Sequence, residues 1–465
     1  MVNYKKIGWI TGVFLLVSLA GCAESPDKDI VTNKNEGRME AAIQEEKQED
    51  KQEERSVPEV YTDNFQVDDG GVQITVEAEL HPVDKPLPVV RVKPHTITGK
   101  EAEQWTNVLF EGKTAYEPER MTKAEIEKQI LELKERLNNP DLLIQEQGSE
   151  EAADAAADII EEEIKAYEAQ YVDAPEQPEN KECEWVFHPY GYYDTMPLPA
   201  EGEENYEGLE KTQQIIAVND SLNNHKGRIT VTNRQEPDYR LNTFFFGYED
   251  EEKLTDIPVK VMSLEETVEI ADELLDQMGL ADWKYHTHAE FLNEEKTLYQ
   301  LYYTPSYYGV DTFITEQTDL KSEDLYAANY YYSSLVLRIE SGFVKSLEML
   351  SPMDIVNTEN ENVETLPFEE VYQSFVTHMN AQFTKSMILE ATDPNIDTAK
   401  LEVKISEVNQ GLFRIKEKNN EDEFLMVPVW AFHGESYVND SLWDEKDFVL
   451  VNALDGSIIN PALGY

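Results

Sequence analysis

Residues 263–304 read SLEETVEIADELLDQMGLADWKYHTHAEFLNEEKTLYQLYYT, and the change of rhythm inside this stretch sets the fold class. Ser263-x-x-Glu266 is a capping box. It predicts a helix running to Met278, with Gly279 as its stop. The segments near 284–292 and 297–304 are rich in aromatic and strand-favouring residues and read as strands, followed by further strands near 334–340 and 343–350. The same order then recurs. Leu366-Pro367 opens a helix carrying Phe368, Val371, Phe375 and Met379, and strands follow near 401–407, 411–416, 424–432 and 447–452. Asp455-Gly456 makes a tight turn into 457–460. One helix followed by a meander, twice over, predicts an α+β fold with antiparallel sheets and flanking helices.

Upstream of this repeat, GVQITVEAEL (71–80) alternates Val72, Ile74, Val76, Ala78 and Leu80, a half-buried strand by its period of two. Val89 to Lys93 is a second strand fenced by Pro88 and Pro94. Thr98-x-x-Glu101 caps a helix through Phe110, with Trp105 and Leu109 on one face. Thr122-x-x-Glu125 caps another, in which Ile126, Ile130, Leu133 and Leu137 form a stripe; Asn138-Asn139-Pro140 stops it. Ser149 then opens a helix with Ile160, Ile164, Tyr167 and Tyr171 on one stripe. Residues 122–171 are therefore expected to pair as a helical hairpin that projects from the domain. Strands are expected at 184–188, 213–218, 228–232 and 242–247. The acidic turn EDEEK (249–253) and Pro258 mark a boundary, which gives an N-terminal α+β domain at 58–258 and a C-terminal one at 259–465.

The chain has 39 Lys and Arg against 94 Asp and Glu, a formal net charge of −55. A surface this anionic repels phosphates and excludes nucleic acid as a partner. Counting Gly in place of Tyr, about 39% of residues are apolar, below the ~45–50% of ordinary domains, so part of the chain is expected to stay outside any core. Two cysteines cannot build a disulfide framework.

The N-terminus, MVNYKKIGWITGVFLLVSLAGC, has Lys5 and Lys6 before 14 uncharged, mostly apolar residues, Ile7 to Ala20. That length suits a signal peptide, whose core runs about 7–15 residues, rather than a spanning helix of about 20. Leu19-Ala20-Gly21-Cys22 has the form of a lipobox. Residues 1–21 are thus expected to be a signal peptide and Cys22 the point of lipid attachment. Two acyl chains make a stable anchor where one is marginal. Removal of Lys5 and Lys6 leaves 37 basic against 94 acidic residues, a net charge of −57. Residues 22–57, with 11 acidic and six basic side chains and almost no aromatics, read as an acidic tether, either disordered or a fraying helix.

Several segments carry resemblances. The lipobox, PDKDIVTNKNEGRM (26–39), VVRVKP (89–94), TGKEAEQWTNVLF (98–110) and MTKAEIEKQILELKERL (121–137) resemble a family of surface lipoproteins of clostridia-type Gram-positive bacteria that has no established activity. That resemblance implies a lipid-anchored place on the extracytoplasmic face of the cell membrane. GFVKSLEML (342–350) and VLVNALDGSIIN (449–460) are similar to the strand-and-turn ending of PepSY-type extracytoplasmic modules. This second resemblance implies inhibition or regulation of a partner protein at the envelope.

Candidate chemistry is sparse. His286-Thr287-His288 has the i, i+2 spacing that puts two imidazoles on one face of a strand, and ordinary surface histidines are the competing reading. The acidic groups Asp68-Asp69-Gly70, Glu249 to Glu252 and Glu359 to Glu364 lack the alternating ligands and closing Glu of a calcium loop. Cys183 reads as a small apolar side chain rather than a nucleophile. Three tyrosine groups stand out: Tyr190, Tyr192 and Tyr193; Tyr302, Tyr303, Tyr307 and Tyr308; and Tyr330 to Tyr332. Each fits sheet packing first and a partner surface second. No nucleophile elbow, zinc-protease helix or phosphate-cradling glycine loop is present, and nothing calls for a cofactor. Beyond lipid attachment, no catalytic or metal residue is assigned. The expected role is a non-catalytic binding or regulatory module acting on another envelope protein or wall polymer. A solute-binding lipoprotein serving a transporter is the alternative, and a cell-wall hydrolase the least supported reading.

Overall fold

The computed structural model describes residues 37–44, 57–190, 192, 211–235, 240–249, 254, 260–292, 297–313, 331–383, 399–417, 420–461 and 464. In chain order these begin with α1 (Arg38–Gln44), β1 (Val60–Val67), β2 (Val72–His81), β3 (Val89–Pro94) and α2 (Gly99–Leu109). Three consecutive helices follow: α3 (Lys123–Leu137), α4 (Pro140–Gln147) and α5 (Glu150–Tyr171). Next come β4 (His188–Pro189), β5 (Thr212–Leu222), β6 (His225–Gln235), β7 (Arg240–Tyr248) and α6 (Leu264–Met278). Then come β8 (Trp283–Leu292), β9 (Thr297–Tyr307), β10 (Val310–Asp311), β11 (Ser334–Glu340), β12 (Phe343–Leu350) and β13 (Met353–Asn360). Helix α7 (Phe368–Gln382) and β14 (Leu401–Glu417), β15 (Asn420–Val438), β16 (Ser441–Asn452) and β17 (Ile458–Ile459) complete the fold.

The fold is α+β, and among the described residues its strands pair antiparallel except for β2 with β14; the isolated bridge between Thr312 and Leu412 is also parallel. A terminal sheet of eight strands follows the path β1-β2-β14-β15-β16-β17, with β3 and β13 branching from β15. A central sheet of nine strands runs β10-β9-β11-β12-β7-β6-β5-β4, with β8 paired to β9. This partition corrects the expected division at residue 258, which runs through the central sheet: β7 on one side of it neighbours β12 on the other. Both helix-plus-meander units exist, but they belong to different sheets, α6 with β8 to β12 and α7 with β14 to β17. Alternation identifies a strand without saying which strand it pairs with, so the boundary could not be read from periodicity.

Each sheet has its own core. Helices α2 and α6 cover the central sheet, where Trp105 packs edge-on against Phe244 at 5.1 Å and donates its indole N–H to the Met278 carbonyl at 3.1 Å. Helix α7 covers one face of the terminal sheet, with Phe375 stacked on Phe432 at 4.2 Å. The sheets meet where Asn242 donates to the His95 carbonyl, the His95 N–H to Pro352, and the Phe313 N–H to Leu412. Gly411 permits that last approach, since a Cβ there would lie 2.8 Å from the Asp311 carbonyl oxygen.

Two further expectations need correction. The link between α3 and α5 is itself helical. Asn139 caps α4 by accepting from the Leu142 N–H, and Pro140 occupies the first turn, where its missing N–H costs nothing. Residues 122–171 therefore form a three-helix unit around Ile126, Leu133, Leu143, Ile160 and Ile164 rather than a simple hairpin. Within the expected tether, α1 is docked rather than loose. Met39, Ala42 and Ile43, spaced i, i+3, i+4, pack on the terminal sheet, Arg38 pairs with Glu370 at 3.1 Å, and Asn360 donates to the Ile43 carbonyl. Of residues 184–188 only His188 enters a strand, the two-residue His188–Pro189.

The three long strands of the terminal sheet leave little room for larger side chains at their bulges. A Cβ on Gly434 would lie 2.0 Å from the Lys404 carbonyl oxygen. Replacing Gly434 with Ala should therefore lower stability by about 1–3 kcal/mol through forced backbone displacement. Urea unfolding should show this as a lower midpoint with an unchanged slope.

Candidate functional site

The face of the terminal sheet opposite α7 is built from rows of cross-strand neighbours. The first row runs Glu79, Glu407, His433, Asp447 across β2, β14, β15 and β16. The second runs Thr75, Lys404, Glu435, Glu445, and the third Gln73, Glu402, Tyr437, Leu442. All twelve side chains are half-buried or exposed, while the alternate residues Ile74, Val403 and Phe432 are buried under α7. The face is strongly anionic. Six carboxylates stand against one lysine and one imidazole.

Two bulges build the first row. Inward-facing positions on β14 run Leu401, Val403, Ile405 and then Val408, so Ser406 is an extra residue relative to β15 and turns Glu407 outward. On β16, Phe448 is the extra residue: Phe432 lies opposite Val449 but His433 opposite Asp447. A bulge inserts one residue and reverses which face the following side chains occupy. The result places Glu407 and Asp447 on either side of His433.

His433 sits between carboxylates. Its Nδ1 is 3.1 Å from Asp447 Oδ1 and its Nε2 is 3.5 Å from Glu445 Oε1. The hydrogen bond to Asp447 dominates and, with the negative charge of both acids, outweighs partial burial, pushing the imidazole pKa up to about 9. His433 is thus an imidazolium at neutral pH. His286, on edge strand β8, stands at one end of the face with its ring 6.4 Å from that of Phe313. It stays accessible to solvent, yet protein crowds it, and the lost hydration holds its pKa below the ordinary histidine range. Asp447, Asp311 and His433 are close enough to act on its charge.

The other candidates named from the sequence disperse. A bulge between Tyr285 and Thr287 breaks the i, i+2 alignment of His286 and His288, so the second imidazole turns to the Tyr285 hydroxyl, 2.8 Å from its Nδ1. Among the described residues no group of three or more His, Cys, Asp or Glu is arranged to hold a metal ion. Glu249 pairs with Lys226 at 2.9 Å and Glu359 with Arg91 at 2.6 Å, while Asp68 to Gly70 form a single 3-10 turn. The Cys183 thiol lies against the central core, and burial raises its pKa to about 11, the opposite of an activated nucleophile. Tyr303 and Tyr307 are buried in sheet faces, with the Tyr303 hydroxyl donating to Asp272 at 2.8 Å; Tyr308 is exposed. Tyr192 stacks on His188 at 3.8 Å. Tyr193 and Tyr330 lie outside the described residues, as do Leu19, Ala20, Gly21, Cys22 and the signal peptide at 1–21.

Glu407 and Asp447 escaped the sequence reading because each stands beside a bulge that resets the alternation of its strand. The signal available was the mismatch Ile405, Val408, a gap of three between inward residues on one strand.

No family model matches the chain, and no curated protein matches it. Among solved structures it is similar to an uncharacterised protein from Eubacterium rectale, at 13% identity over 92% of this chain and 99% of that one, with a TM-score of 0.39. It is also similar to the C-terminal domain of YpeB from Bacillus megaterium, at 13% identity over 54% of this chain and 88% of that domain, with a TM-score of 0.22.

The His433 pKa, raised from an unfolded value near 6.5 to about 9, fixes the sign of a pH effect. Its stabilisation is full below about pH 6.5 and is lost as pH rises through about 9. His433→Gln should therefore be less stable than the parent by about 1–3 kcal/mol at pH 6, allowing for partial solvent screening, with the gap closed at pH 10. Urea titrations of both proteins at the two pH values measure this directly.

Proposed function

We propose that this chain is a lipid-anchored, extracytoplasmic binding module that acts without catalysis, holding a cationic surface of another envelope protein or wall polymer on its open sheet face. The observation that carries the reading is the row Glu79, Glu407, His433, Asp447, in which three carboxylates and a single imidazolium line an accessible strand surface. Such a face attracts positive charge over a distance, and its hydrogen-bonding groups orient what arrives. Its shallow form suits a polymer or a protein surface rather than a small solute enclosed on all sides. The anchor side of the proposal rests on the 14-residue apolar run and Leu19-Ala20-Gly21-Cys22. The resemblance of residues 26–39, 89–94, 98–110 and 121–137 to Gram-positive surface lipoproteins points the same way. Among the described residues no helix is long and apolar enough to cross a membrane, so a span within the folded part is not required by this reading.

Two measurements test it. Cys22→Ala should move the protein from the membrane fraction to the soluble fraction, and retention in washed membranes would overturn the anchor. Cross-linking in whole cells followed by recovery of the chain should yield a basic partner, and the double substitution Glu407→Lys, Glu435→Lys should reduce its yield at least tenfold without lowering the melting temperature. Recovery unaffected by the charge reversal would remove the sheet face from the proposal.

A further inference from the structure

The three-helix unit of α3, α4 and α5 has a hydrophobic core of its own, separate from those of both sheets. It joins the body through a narrow neck, where the Lys123 N–H donates to the Pro175 carbonyl and Tyr116 bridges to Glu182 and Val218. A unit that contributes nothing to either sheet's core needs another reason for its exposed faces. On α3, Ile126 and Leu133 point into the unit, but Glu127, Ile130, Leu131 and Lys134, spaced 0, 3, 4 and 7, define a second face. With Glu168 and Tyr171 of α5 they line a groove of about 400 Å³. Leu131 is 68% exposed there, on a helix whose apolar side is otherwise satisfied. The groove's sides are braced across the two helices: the Tyr171 hydroxyl donates to Glu127 at 2.6 Å, and Lys134 pairs with Glu168 at 2.9 Å.

Charge selects the occupant. Residues 121–176 hold 16 acidic and five basic side chains, and the lone cation lining the groove, Lys134, is neutralised by Glu168. A second copy of the unit would bring the same excess of negative charge, and an anionic lipid surface would be repelled likewise. We propose that the groove between α3 and α5 docks a basic amphipathic helix of a protein partner. The partner's apolar stripe lies over Ile130, Leu131 and Tyr171, and its lysines or arginines meet Glu127 and the acidic surface around the groove. This is the helix-in-groove mode, in which residues at i, i+3, i+4 and i+7 of the incoming helix supply the anchors. It is independent of the sheet face.

The test uses the full mature chain with Cys22→Ala and three fluorescein-labelled synthetic peptides. One is helical with leucines on one stripe and lysines elsewhere, a second has its leucines replaced by serine, and a third has its lysines replaced by glutamate. Fluorescence anisotropy should show the Leu/Lys peptide binding at least tenfold more tightly than either control. Leu131→Asp should weaken it about tenfold or more with an unchanged circular-dichroism melt, since Leu131 is not part of the core. Glu435→Lys on the sheet face should leave it unaffected. Equal binding of the Ser/Lys peptide, indifference to Leu131→Asp, or loss on Glu435→Lys would each overturn the assignment. So would a dimer in sedimentation velocity that disappears on Leu131→Asp, or pelleting of the chain with phosphatidylglycerol vesicles through the same residue.

Discussion

Val72 lies opposite Leu401 and Leu80 opposite Val408, in the parallel pairing of β2 with β14 that joins the two ends of the folded chain. Closing a loop of more than three hundred residues is entropically expensive in absolute terms, but the cost grows only logarithmically with length. What secures the closure is the run of side chains beneath it. Val72, Ile74, Val76 and Ala78 meet Leu401, Val403 and Ile405 under Phe375 and Met379 of α7, all of them essentially inaccessible to water. At about 25 cal/mol per Å² of apolar area, one such fully buried aliphatic side chain contributes about 1.5–3 kcal/mol. A slip of one residue in this register would send every one of them to the solvent face.

That register also determines where acidic residues end up. On β2, Glu77 and Glu79 alternate with Val76, Ala78 and Leu80, so they can only face away from α7. On β14 the alternation is broken at Ser406, and on β16 at Phe448 and again at Trp443. Had either strand continued unbroken, Glu407 or Asp447 would have been driven into the core under α7, where an unpaired carboxylate costs several kcal/mol. The bulges are therefore a condition of the sequence as it stands. They turn two charges that would otherwise be buried into the flanks of His433, and the hydrogen bond to Asp447 holds that imidazole protonated.

Much of the local structure was legible in the amino-acid sequence. Thr98 with Glu101, Thr122 with Glu125 and Ser263 with Glu266 each form the reciprocal cap their spacing implied, and Gly279 adopts the left-handed conformation that ends α6. These features are local, so three or four residues suffice to specify them. What was not legible is non-local. Nothing in GVQITVEAEL says that its neighbour lies at 401–409, and nothing in DLLIQEQ outweighs the preceding Asn-Asn-Pro as a stop until Asn139 is seen accepting from Leu142. The docking of α1 was likewise hidden, because Met39, Ala42 and Ile43 are too few to register as amphipathic within so acidic a segment. The open face was the least visible feature of all, since it is assembled from four strands and depends on bulges at Ser406, Phe448 and Trp443.

A chain with this excess of carboxylates must use most of them as solvated surface, and the contrast between two acidic groups indicates which is free to act. Around Arg91, Glu417 receives two guanidinium N–H bonds at 2.6 and 2.9 Å, Glu359 a third at 2.6 Å, and Glu423 lies at 3.5 Å. That cluster is internally satisfied, and its acids raise the affinity of Arg91 for its proton further. On the open face, Lys404 lies 3.8 Å from Glu402 and also over the Tyr437 ring at 4.3 Å, and His433 is engaged by Asp447 and Glu445. Two cations cannot balance six carboxylates. Neighbouring rows lie two residues apart along β15, about 6.6 Å at a rise of about 3.3 Å per residue, within the Debye length of about 8 Å at physiological salt, so they act as one field rather than as separate charges. The field at Arg91 is closed by the protein itself. The field on the sheet face is completed only by cations from outside, and this difference, rather than the number of acids, makes it the site.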